Sequence, residues 1–74
     1  MKVVKVFKTN VHDHAEARQI VFVLHHTFSF CLANFDLDDC DRVLRIETQG
    51  ESIPNSDIQL LIAEYGYCCE PLAG

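Results

Sequence analysis

Tryptophan is absent from this 74-residue chain, glycine occurs three times and proline twice. So few glycines leave no Gly-rich loop of the kind that cradles a phosphate. There is no Pro-, Gly- or Ser-rich tract to act as a linker, and no internal repeat. Basic residues are scarce as well, with six Lys and Arg against eleven Asp and Glu, a net charge of -5 and a pI of about 5.1. That balance repels a phosphate backbone, so nucleic acid is not an expected partner. No apolar run approaches the roughly 20 residues of a membrane span. The stretch from Met1 to Thr9 alternates Lys with Val and is too short and polar for a signal peptide. The expectation is a cytoplasmic protein without a membrane.

What is present reads as one small domain. Hydrophobic residues make up 49% of the chain and charged residues 23%, which is a globular composition with material for one modest core. A core of that size leaves little room for a large catalytic cleft, so a binding module is the better expectation than an enzyme. No Ser, His and Asp fall into a catalytic motif. The four cysteines, Cys31, Cys40, Cys68 and Cys69, are expected as reduced thiols.

Taken in order, Val3 to Lys8 alternates like a strand, with Val4 and Val6 on one side and Lys5 on the other. Asp13 suits an N-cap, and Glu16 sits three residues on, in the capping-box position. Ala17, Ile20 and Leu24 recur at helical spacing, widened by Val21 and Val23. The β-branched and aromatic run Ile20-Val21-Phe22-Val23-Leu24 argues locally for a strand, but the cap and the flanking residues favour a helix. Cys31 to Leu37 reads as a strand with Cys31, Ala33, Phe35 and Leu37 on one face. Asp38 to Asp41 makes a turn, and Arg42 to Glu47 returns with Leu44 and Ile46 inward. Pro54 to Asp57 opens a helix carrying Ile58, Leu61, Ile62 and Tyr65, which Gly66 ends at the C′ position. Tyr67 to Glu70 is a short closing strand stopped by Pro71.

The order strand, helix, strand, strand, helix, strand predicts an α+β fold. The economical solution is a ferredoxin-like βαββαβ sandwich, a four-stranded antiparallel sheet with two helices on one face. That topology brings His12, Asp13 and His14, the hairpin with Cys40, and Tyr65-Gly66-Tyr67 to one end of the sheet. His25 and His26 fall at the other end.

The pattern resembles the heavy-metal-associated domain of copper chaperones and metal-transporting ATPases. Asp36-Leu37 resembles that family's Asp-Leu-Glu segment. Ala63-Glu64-Tyr65-Gly66-Tyr67 is similar to its closing Ala-Gly-Tyr signature, with Tyr65 in the Ala place. Ile20 and Leu24 fall where the family has its first-helix Val and Leu. The resemblance covers nearly the whole chain and implies the same fold. It also implies a soft-metal loop of the form Met-Thr-Cys-x-x-Cys at the first strand-to-helix junction. Here that loop reads Val11-His12-Asp13-His14-Ala15-Glu16, with Asp13 and Glu16 at the cysteine positions. Thiolates suit Cu(I) and carboxylates do not, so the family's metal activity is not expected.

Two function readings follow. The first is a non-enzymatic binding domain with no cofactor, its soft-metal site lost, that docks a protein, binds a small ligand or self-associates. The second is a metal-handling protein using substitute ligands for a divalent transition metal such as zinc or copper. Its candidate ligands are His12, Asp13 and His14, with Cys40 reaching across the sheet end. Against it stands a simpler reading, in which Asp13 caps a helix and both histidines face water. A regulatory domain that senses amino acids on the same architecture ranks last, because it rests on fold analogy alone.

Of the remaining candidates, His25 and His26 lie about 100 degrees apart on a helix and cannot readily share a metal. They are expected to serve the helix C-terminus. Cys68 and Cys69 point to opposite faces of a strand, one inward and one exposed. Cys31 is a small core hydrophobe. Cys40, ringed by Asp38, Asp39 and Asp41, is poorly placed to act as a nucleophile.

Overall fold

The computed structural model describes residues 1–72. Its elements run β1 (Lys2–Thr9), α1 (His14–Thr27), β2 (Leu32–Asp36), β3 (Val43–Gln49), α2 (Asn55–Glu64) and β4 (Cys69–Pro71). The strands form one antiparallel sheet in the order β2-β3-β1-β4. Helix α1 packs by β2 and α2 by β4. This is the expected ferredoxin-like arrangement.

The conflict within Ile20 to Leu24 resolves as helix. Ala17, Ile20 and Leu24 are buried at helical spacing, while Asp13 Oδ1 accepts the Ala15 N–H at 2.8 Å. Tertiary burial outweighs the β-propensity of the run. Helix α2 buries Ile58 and Ile62 but leaves Tyr65 exposed, one turn short of the expected stripe. It ends as expected at Gly66, whose φ of 87° is costly for any residue with a Cβ. The Gly66 N–H donates to Ala63 O and the Tyr67 N–H to Ile62 O, the pair of bonds of a Schellman cap.

The core lies between the helices and one sheet face, around Phe7, Val11, Leu24, Leu44, Ile46, Ile58 and Ile62. In β1 it is Phe7 and Thr9 that are buried, so Lys5 shares the helix-facing side and Val4 and Val6 fall on the open face. One large aromatic decides the register over two valines, since slipping by one residue would expose it. Lys5 lies half-buried and carries its ammonium to the rim, where it bonds Ile53 O and Asn55 Oδ1 beside the start of α2.

The closing strand also slips relative to expectation. It spans Cys69–Pro71, and Pro71 lies opposite Phe7 rather than ending the pairing. An edge strand tolerates proline because one side of its backbone has no ladder partner. Cys69 is buried and Cys68 exposed, as their opposite directions require, and Cys31 is a core residue.

Candidate functional site

The polar end of the sheet is built on Thr9. Its N–H donates to Asp41 O at 3.1 Å and its hydroxyl to Arg42 O at 2.6 Å, and Oγ1 also accepts the Val11 N–H at 3.3 Å. Asn10 Oδ1 accepts the Cys68 N–H at 2.8 Å. One junction thus ties together the first loop, the β2–β3 hairpin and the connection into β4. Sequence topology brought these same three segments to one end.

The hairpin holds itself. Arg42 has a left-handed φ of 49°, and its N–H donates to Asp39 O while its guanidinium donates to Leu37 O at 2.7 Å. Asp39 Oδ1 accepts the Asp41 N–H at 2.9 Å. Among the described residues, one group of three His, Cys, Asp and Glu side chains has ligand atoms within 4.8 Å of one another, namely Asp39, Cys40 and Asp41. Of the candidate set His12, Asp13, His14 and Cys40, therefore, only Cys40 belongs to this cluster, and it clusters with its own neighbours. His12, Asp13 and His14 are all exposed.

Glu16 departs from the capping box. The Tyr67 hydroxyl, 51 residues away in sequence, donates to its Oε2. That bond to Glu16, followed by burial and the negative charges of Glu16 and Asp13, pushes the Tyr67 phenol upward. The two positions where the resemblance would put thiolates are thus a helix cap and a phenol acceptor. Both side chains are occupied within the scaffold.

Burial, with Cys68 and Glu70 beside it, pushes the Cys69 thiol up to about 11, and burial also raises Cys31. Both are held as neutral thiols at neutral pH.

Sequence reasoning missed a second region, a groove of about 420 Å³ between α1 and β2. Ala17, Val21, Ala33, Phe35 and Leu37 form its apolar lining, and His14 and Arg18 stand on its α1 side. His14, Arg18, Val21 and His25 are spaced four, three and four residues apart, so they form one stripe along α1. At the end of that stripe His25 Nε2 accepts the Ala33 N–H at 2.9 Å. The signal was present in the sequence as His14, Arg18 and His25 recurring at helical spacing, but His14 was taken with His12 instead.

No known family model, curated protein or solved structure matches the chain. No helix among the described residues is long and apolar enough to cross a membrane.

Proposed function

We propose that this chain is a non-enzymatic protein-docking module on a scaffold similar to the heavy-metal-associated domain, with the soft-metal position given over to holding the fold together. The observation that supports this is the fate of Asp13 and Glu16. One caps α1 and the other accepts the Tyr67 hydroxyl. Neither is a soft donor, and carboxylate oxygens do not suit a monovalent copper ion. Docking is the remaining work the surface favours. Large apolar side chains stand exposed, among them Phe22 and Leu32, at 70% and 63%, and a lined groove runs beside an edge strand.

Elemental analysis and zinc titration of the untagged protein test this reading. The expected result is no stoichiometric metal and no heat that depends on His12. A tight site lost in His12→Ala would replace it with the metal-handling reading. The double variant Asp13→Cys, Glu16→Cys is expected to gain Cu(I) binding, because it restores two thiolates at the junction.

A further inference from the structure

We propose that the groove between α1 and β2 seats an extended acidic segment of a protein partner, which adds to β2 as a fifth strand. The inference rests on the docking-module reading and names the surface and the chemistry of its occupant.

The edge itself is the first support. Strand β2 ends the sheet, and the Ala33 N–H leaves the sheet to reach His25. Backbone groups alternate in direction along a strand, so Ala33 and Phe35 are the residues whose amide and carbonyl point outward. Ala33 O and the N–H and O of Phe35 then line the edge between His25 and the hairpin. An added strand satisfies them with main-chain bonds and gains specificity from alternate side chains.

Charge supplies the second support. The chain carries a net charge of -5, yet the groove is lined by Arg18 and His14 and by no carboxylate. Arg18 is exposed and makes no ion pair or side-chain hydrogen bond among the described residues. On an acidic protein this stretch is locally basic beside an open strand edge, and it complements an acidic strand.

Spacing supplies the third. Same-face residues of a strand repeat every ~6.8 Å. Residues four apart on a helix rise ~6 Å. The first two groove-facing side chains of the added strand therefore meet His14 and then Arg18, and the third falls between Val21 and His25, since three helical residues rise only ~4.5 Å. The matching pattern is acidic, any, acidic, any, apolar, read along α1.

The test uses the full chain, ¹⁵N-labelled, titrated with the capped hexapeptide Glu-Thr-Glu-Thr-Val-Thr, its reversed sequence, and a Lys-for-Glu control. Binding of either acidic peptide is expected to shift the Phe35 amide and slow its hydrogen exchange. Arg18→Glu, an exposed substitution whose fold circular dichroism can check, is expected to weaken that binding about tenfold, the size of one charge-assisted contact. Equal binding of the lysine peptide, or shifts confined to the β1 and β4 edge, overturns the acidic-strand inference while leaving docking intact. No binding of either acidic peptide overturns the acidic-strand inference, and a stoichiometric metal site found alongside it overturns the docking reading as well.

Discussion

Two regions of this molecule carry histidine and aspartate or arginine beside helix α1, and they are put to opposite uses. At the junction of β1 and α1, polar groups find one another: Thr9 bonds the hairpin, Asn10 bonds Cys68, Asp13 caps the helix and Glu16 accepts from Tyr67. Along the groove, Arg18 and His14 find nothing among the described residues. A polar group whose bonding is complete within the fold stabilises, whereas one left over is available to a partner. The difference separates the scaffold from the candidate interface more sharply than residue type does.

Substitutions at the junction should therefore cost stability, and those at the groove should not. The largest effect is expected at Thr9. Thr9→Val keeps the shape but strands the Arg42 carbonyl and the buried Val11 amide, a loss of about 2 kcal/mol in urea unfolding. A loss below about 0.5 kcal/mol would mean that water replaces the hydroxyl and that the junction is looser than described.

Alkaline pH loads the same end of the molecule. The folded thiol of Cys69 titrates at about 11 against an ordinary 9.0, so the unfolded chain gives up its proton first. Stability contributed by the neutral thiol is complete below pH 9 and falls as pH rises towards 11, by about 1 to 2 kcal/mol after allowance for solvent screening. The raised Cys31 and Tyr67 groups act in the same direction. Chemical denaturation between pH 8 and 11 measures it. A Cys69→Ala variant should show a shallower decline.

Asp13→Ala removes one cap and should cost about 1 kcal/mol. At the groove, Arg18→Ala should change stability by less than about 0.5 kcal/mol. A larger loss there would mean that Arg18 serves the fold after all and would erase the contrast between the two regions.

Much of the fold was legible because its strongest signals are local and periodic. Ala17, Ile20 and Leu24 mark a helix face, Leu44 and Ile46 an inward strand face, and Gly66 a helix end. What escaped was set at long range or by competition. The alternation in β1 put Val4 and Val6 opposite Lys5 without saying which side meets the helices, and Phe7 decides it for the Lys5 side, while Tyr65 continued a stripe that the helix does not bury. Glu16 matched a capping spacing, yet its partner lies at position 67. Sequence topology brought His12, His14 and Cys40 to one end of the sheet, but sharing an end does not make side chains converge. The groove was hidden because its members come from two elements and belong to one surface only after α1 lies along β2.

The imidazole of His25 over the Ala33 amide has a consequence for how the protein behaves when it is abundant. Open strand edges invite identical chains to zip together, and proteins guard them with obstructions and charge. Here one hydrogen-bonding position is already blocked, and copies bearing -5 each repel one another. The repulsion depends on the solution, since salt screens it. Concentrated, salty storage is therefore the condition in which copies of this chain are freest to pair along that edge, and dilute low-salt buffer is the safeguard.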